Sequence, residues 1–395
     1  MKNNQILKIY GTDYKEMTAE LLTRADLLGR IKDKSCRIGI KPNLVSPSPA
    51  SCGATTHPEV VAGIIEYLRS GGCSNIVLME GSWVGDKTSE AIGVCGYDVL
   101  AKEYGVPFID TQKEGAYAKD CAGLELRICD CVRDVDFMIN VPVLKGHCQT
   151  RITCALKNMK GLLPNKEKRR FHAMGLHEPI AHLAMGIRQD FVVIDHICGD
   201  LDFEDGGNPV VRNCVMAACD PVLADAYACR LLHYDVAEVP YIKMAEALGA
   251  GSANLEQAQI LTCRRDVLES LEAQGHPAET GLEKETLWFL EGPDEELPLS
   301  RRTVELRDAV EEVESCSACY GYLIPALDRL REEGLLKKLD DKICIGQGYR
   351  GRTGHIGIGQ CTAGFAHHVA GCPPTEGQIY EFLKEYIHRI EAKES

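Results

Sequence analysis

A chain of 395 residues, 45% hydrophobic and with a formal charge of −14, is long enough to bury the cores of two or three domains without crosslinks. Its acidity argues against nucleic acid or an anionic membrane as partner. Nineteen cysteines, with no apolar leader after Met1 and no run of about 20 apolar residues, point to a soluble, cytoplasmic protein. Its thiols are expected to stay free or bind metal, since disulfide frameworks belong to small secreted domains.

Along the chain, Ile6 to Ile9 reads as a short strand and Tyr14 to Leu28 as a helix by its apolar spacing. Cys36 to Leu44 is a strand that must stop near Pro42, and Pro58 opens a helix that Gly71-Gly72 ends. Asn75 to Glu80 is a buried strand, helical patterning runs on to Tyr104, and Pro107 to Asp110 is a further strand. Leu124 to Ile128 suits a small hairpin strand, and Asp136 to Leu144 is a strand that delivers Lys145-Gly146-His147. Thr150 to Leu162 reads as a helix followed by a basic loop, then a helix from Pro179 to Ile187. Strands at Phe191 to Ile194 and Val210 to Ala217 precede helices at Pro221 to Leu232 and Pro240 to Leu248. This alternation predicts an α/β fold over residues 1–265, a mostly parallel sheet with helices on both faces. Residues 266–300, charged and punctuated by Pro and Gly, read as a connector. Residues 301–395 form a smaller C-terminal α/β unit: a helix from Cys319 to Glu333, strands at Lys342 to Ile345 and Ile356 to Ile358, and a terminal helix from Gln378 to Ile390. No repeat is evident.

Ligands of open parallel sheets sit outside the carboxyl ends of the strands, and polar residues gather there. Lys41 and Asn43 follow one strand, Glu80 and Ser82 another, Lys145 and His147 a third, Asp195 and His196 a fourth. Thr55-Thr56 precedes a helix start, where free N–H groups favour an anion. Lys157, Asn158 and Lys160 lead into the basic run Lys166, Lys168, Arg169, Arg170, which stands out on an acidic chain. The expectation is a pocket for a small anionic ligand or cofactor. Lys145, His147, Glu80 and Asp195 would move protons; Lys41, Asn43, Thr55, Thr56, Lys157, Asn158 and Lys160 would hold the ligand. Each has a plainer reading taken alone: an exposed charge, an N-cap, a solvated loop. The histidines His172, His177 and His182 stand five residues apart, about 140° of helix rotation, so they do not share a face as i, i+4 pairs do. His172 and His177 converge only if a loop precedes Pro179, and His182 reads as structural. Gly346 to Gly351 matches G-x-G-x-x-G after a strand but no helix follows, so no dinucleotide site is expected.

The sharpest chemical signal is Cys316-Ser-Ala-Cys319, then Cys361 after a glycine-rich run, then Gly371-Cys372-Pro373-Pro374. Four thiolates suit a [4Fe–4S] cluster or a zinc ion. Proline directly after a ligand cysteine occurs in ferredoxin-type runs, and flanking glycines let backbone approach an inorganic core. Zinc more often shows two close pairs. A dithiol pair at Cys316 and Cys319 and plain buried thiols stay open.

Lys41-Pro-Asn-Leu, Thr55-Thr56-His-Pro-Glu-Val-Val, Val141-Pro-Val-Leu-Lys-Gly-His147, Ala155-Leu-Lys-Asn-Met-Lys-Gly161 and Asp220-Pro-Val-Leu-Ala-Asp225, in that order, resemble domain-of-unknown-function family 362 over about Ile38 to Gly251. The resemblance implies an association with ferredoxin-like iron–sulfur regions. The tail departs from a two-cluster ferredoxin, and its Gly-Cys-Pro-Pro element is similar to one in hydrogenase-type small subunits. A looser likeness in layout to nickel-pincer lactate racemases would set Lys145, His147, His172 and His177 beside their site residues. The functional expectation is an iron–sulfur redox protein serving an anionic ligand or a redox partner protein. The alternatives are a non-redox isomerase, racemase-like enzyme or hydrolase, and a scaffold that docks a partner through its basic loop.

Overall fold

The computed structural model describes residues 1–202, 204–205, 208–265, 288–290, 306–313, 315 and 317–394. Strand β1 (Gln5–Tyr10) and helices α1 (Tyr14–Ala25) and α2 (Leu27–Arg30) open the chain. Then β2 (Ile38–Pro42), α3 (Pro58–Ser70), β3 (Ile76–Glu80), α4 (Thr88–Val94), α5 (Tyr97–Tyr104) and β4 (Phe108–Asp110) follow. A hairpin of β5 (Ala116–Cys121) and β6 (Leu124–Cys129) leads to β7 (Phe137–Val141), and a second hairpin, β8 (Lys145–His147) and β9 (Arg151–Thr153), to α6 (Ala155–Asn158), α7 (Asn165–Met174) and α8 (His177–Gly186). Strands β10 (Phe191–Asp200) and β11 (Pro209–Ala218), helices α9 (Pro221–Leu231) and α10 (Pro240–Ala247), and strands β12 (Gln259–Arg264) and β13 (Trp288–Leu290) complete the large unit.

Nine strands make one sheet in the order β13-β12-β1-β11-β10-β7-β2-β3-β4. From β10 through β4 every pairing is parallel, whereas β11 is antiparallel to both neighbours. The mostly parallel α/β architecture expected from the sequence is therefore present. Strands β2, β3 and β7 are buried along their whole length, as strands covered on both faces must be. Their side chains alternate between two cores: Ile38, Ile40, Leu78 and Ile139 pack with α1, α3 and α5, while Val77, Met79 and Met138 pack with α6, α8 and α9.

Local detail differs from the sequence reading at three places. Thr150 to Leu162 is not one helix: the β8–β9 hairpin pairs Lys145 with Thr153, Cys154 breaks the path at φ −152°, ψ −138°, and only α6 and a 3-10 turn follow. The basic loop is helix α7, begun after Pro164 by residues of good helix propensity. Within the expected connector, β13 pairs with β12 at the sheet edge.

The C-terminal unit runs β14 (Val310–Glu312), α11 (Ser317–Glu332), β15 (Ile343–Ile345), β16 (Ile356–Ile358), β17 (His367–Val369) and α12 (Glu376–Glu394). Its four strands are all parallel, in chain order. Leu323, Ile324 and Leu327 of α11 and Ile379, Leu383 and Ile387 of α12 cover Ile343, Ile345, Ile356 and Ile358. This sheet corrects the statement that no repeat exists. Ile343-Cys-Ile and Ile356-Gly-Ile pair residue for residue, and each runs through Gly-Gln into a 3-10 turn, Gln347–Tyr349 and Gln360–Thr362.

Candidate functional site

The carboxyl ends of β2, β3 and β10 and the β8–α6 insertion after β7 enclose a cavity of about 350 Å³. Of the residues singled out in the sequence, Lys41, Asn43, Glu80, His147, Lys157, Asn158 and Lys160 line it. So do Lys168 and His172, from α7, and Glu204 and Asp205, just past β10. Gly321 and Tyr322 of α11 close the cavity from the C-terminal unit, and the Tyr322 ring meets Trp83 edge-on at 6.2 Å.

Backbone capping positions the lysines. The buried Asp225 carboxylate accepts the Leu156 N–H at 3.3 and 3.4 Å, fixing the start of α6, so that Lys157 and Asn158 reach the cavity. Lys41 Nζ donates to Asn158 Oδ1 at 2.9 Å and contacts the Glu80 carboxylate, while Asn158 Nδ2 donates to Asn140 Oδ1 at 2.7 Å. Burial pushes Lys41 down and Glu80 up, each opposed by the other's charge. A Cβ at Gly161 would run into the Glu80 carboxylate, which explains a glycine there. Lys168 Nζ donates to the carbonyls of Gly81 and Ser82 at 2.7 and 2.8 Å.

Glu204 collects a second set of donors. Its Oε1 lies 3.3 Å from Lys157 Nζ and 3.6 Å from Lys145 Nζ, and its Oε2 lies 3.1 Å from His147 Nε2. His147 Nδ1 accepts the Gln149 and Thr150 N–H groups at 3.0 and 3.1 Å, so Nε2 carries the proton and donates. Burial, then Lys157, lowers His147 to about 4, which keeps that ring neutral at pH 7. Although burial opposes it, the field of Lys157, His147 and Lys145 holds the Glu204 carboxyl well below the usual range.

Three of the four lysines on the wall are engaged: Lys41 by Asn158 and Glu80, Lys157 by Thr153 and Glu204, Lys168 by two carbonyls. Among the described residues Lys160 meets only the Phe171 ring, 6.0 Å from its centroid. Burial, then the neighbouring charge of Lys157, pushes it down to about 7. Its ammonium is therefore charged at pH 6 and mostly neutral at pH 8. An anion held through it should bind up to about tenfold more weakly per pH unit above 7. Calorimetric titration of an anion into wild type and Lys160→Met checks this: the pH slope should flatten in the variant.

The remaining candidates stand behind the wall. Lys145 is fully buried, its Nζ donating to the Ala54 carbonyl at 2.6 Å, and it reaches the cavity only through Glu204. Thr56 Oγ1 donates to Val141 O and accepts Asn43 N–H, both at 2.8 Å, and Thr55 Oγ1 donates to Ser48 O at 2.7 Å. Asp195 accepts His57 N–H at 2.7 Å, meets His57 Nδ1 at 2.8 Å and accepts Ile197 N–H at 3.0 Å. These three brace the loops and do not line the cavity. His177 stacks on Tyr241, away from His172, and the His182 ring bonds to Cys121 O, the structural role expected.

In the C-terminal unit, Cys319 lies in the first turn of α11, and Cys361 and Cys372 each stand five residues past the paired Ile356 and His367. Equal offsets on adjacent parallel strands put both on one edge of the sheet. A Cβ on Gly359, at φ +88°, would sit 3.5 Å from Cys319 Sγ, so that sulfur abuts the same edge. Arg350 Nε donates to Cys361 Sγ at 3.5 Å. Cys316 lies outside the described residues. Among the described residues no three His, Cys, Asp or Glu side chains converge as a metal site. Cys361 and Cys372 thus share this edge with Cys319, and among the described residues their sulfurs do not converge. Nor is any helix among the described residues long and apolar enough to cross a membrane.

Residues 38–230 match the family described as domain of unknown function (DUF362). A thylakoid-associated protein of Synechocystis sp. is 26% identical over 284 residues, 68% of this chain and 86% of that protein. Among solved structures, the lactate racemase apoprotein of Thermoanaerobacterium thermosaccharolyticum aligns with a TM-score of 0.39 and 11% identity. That alignment covers 57% of this chain and 56% of the racemase chain, little more than half its length. The family resemblance read from the motifs is thereby found independently, and the family it leads to is uncharacterised.

Proposed function

We propose that this chain, whose residues 38–230 carry the DUF362 match, is an iron–sulfur redox protein that binds a small anionic ligand in the lysine-lined cavity. The observation that carries the reading is the sharing of helix α11. Tyr322 on the cavity wall follows Cys319 by three residues, about 4.5 Å along the helix axis. A ligand on Lys157, Lys160 and Lys168 is therefore next to the cysteine edge. Cys316, Cys319, Cys361 and Cys372 would hold the cluster, which supplies single electrons when bound. The four lysines supply positive charge in a cavity largely walled by protein, where attraction to an anion is stronger than in open water. Arg350, donating to the Cys361 sulfur, would favour the more reduced state by offsetting negative charge there.

Iron and acid-labile sulfide analysis of anaerobically purified protein tests the proposal: about four of each per chain is expected for a [4Fe–4S] centre. Stoichiometric zinc without iron overturns it. A second reading, a non-redox enzyme that moves a proton at the anionic ligand, is favoured by Lys160, whose amine is poised near neutrality and faces the cavity. Under that reading Lys160→Ala abolishes turnover while iron content and colour stay unchanged.

A further inference from the structure

We infer that Lys145, His147 and Lys157 form a carboxylate-binding cradle, held here by the chain's own Glu204, and that the ligand is a small carboxylic acid whose carboxylate displaces it. The inference rests on the anionic-ligand reading of the cavity and narrows it to one chemical class.

Four features of Glu204 support the assignment. Its partners are all donors, and they divide its two oxygens between them: the lysines take Oε1 and the imidazole N–H takes Oε2. This two-oxygen arrangement fits a carboxylate and leaves the third oxygen of a phosphate without a donor from these three residues. The imidazole cannot turn to offer a lone pair instead, because two backbone N–H groups hold Nδ1 as acceptor. The contacts, 3.1 to 3.6 Å, are long for charge-assisted bonds, so the group is held loosely. The side chain is 23% exposed, against 0% for Lys145 beneath it, so an incoming group can reach its position.

The backbone agrees. Glu204 sits at φ +91°, a conformation that a residue with a Cβ adopts only under constraint from its surroundings. Two contacts supply the constraint: Asp205, next in the chain, accepts from Ser46 Oγ at 2.8 Å and Ser48 Oγ at 3.2 Å, and the Glu204 carbonyl accepts from Lys145 Nζ at 3.2 Å. One carboxylate thus ties this part of the chain to Ser46 and Ser48 while its neighbour occupies the cradle. A ligand that replaces Glu204 releases that constraint.

The test is calorimetric titration of oxalate, malonate, succinate and inorganic phosphate into anaerobically purified full-length protein. Removing the internal competitor raises the fraction of open cradles, so Glu204→Gln should tighten at least one dicarboxylate by roughly tenfold. Asp205→Asn keeps the Glu204 carboxylate but loosens the tie to Ser46 and Ser48, and should tighten the same ligand by a smaller factor. It also serves if Glu204→Gln fails to fold. Lys157→Met should weaken binding in every background. Equal or weaker dicarboxylate affinity in both loop variants overturns the cradle, as does phosphate binding more tightly than every dicarboxylate; in either case Lys160-dependent anion binding still upholds the cavity. Absence of any anion binding, in wild type and variants alike, overturns the anionic-ligand reading itself.

Discussion

Cys372→Ser, purified without oxygen, is expected to lose the broad absorption near about 400 nm that sulfur-to-iron charge transfer gives. Its iron content should fall with the colour, while its affinity for anions in the large unit stays within about threefold of wild type. The two effects separate because Cys372 sits past β17, whereas Lys41 lies in β2, Lys157 in α6, Lys160 in the 3-10 turn that follows it and Lys168 in α7. Cys344→Ser is the matched control. Cys344 lies inside β15, opposite Gly357 in the ladder, and burial pushes its thiol up, as suits a structural thiol. The Cys344→Ser protein should keep its colour. A Cys372→Ser protein with undiminished iron would remove that residue from the ligand set.

Lys41→Met is expected to cost about 3–5 kcal/mol of stability, the usual loss when one partner of a buried ion pair is removed. Lys41 is 1% and Glu80 3% exposed, so the abandoned carboxylate is left with little solvation. It would also lose the link from β2 to α6, since Lys41 donates to Asn158, which in turn donates to Asn140 on β7. The double variant Lys41→Met/Glu80→Gln should recover most of the loss, because no uncompensated charge is left. Urea denaturation of the three variants checks this. A single variant within about 1 kcal/mol of wild type would mean that the pair is already neutral, the direction in which burial pushes both groups.

The strand ends were legible because a buried parallel sheet writes itself as apolar runs, and the polar residue ending each run lies at the edge where ligands bind. Lys41, Glu80 and His147 were found this way. Asp195 satisfies the same rule, and Thr55 and Thr56 the helix-start rule, yet their polar atoms are consumed by backbone groups. No pattern in one sequence distinguishes a spent hydroxyl from a free one. Glu204 left no local signal, since its meaning depends on Lys145, His147 and Lys157, brought to it across the fold. The C-terminal repeat escaped notice because its two copies share only Ile-x-Ile-Gly-Gln before their turns diverge, and its period is set by strand pairing. His172 and His182 stand on separate helices, α7 and α8, so the rotation argument within one helix does not bear on them. What put His172 on the cavity wall was helix α7, where a basic loop was expected.

Helix α11 carries one last consequence. Because Cys319 and Tyr322 occupy successive turns of the same helix, any coupling between an occupant of the cavity and one on the cysteine edge must be equal in both directions. Ligand would then raise the thermal resistance of the tail, and loss of a centre bound there would loosen the grip on ligand by the same small factor, inside the range of about threefold expected for Cys372→Ser.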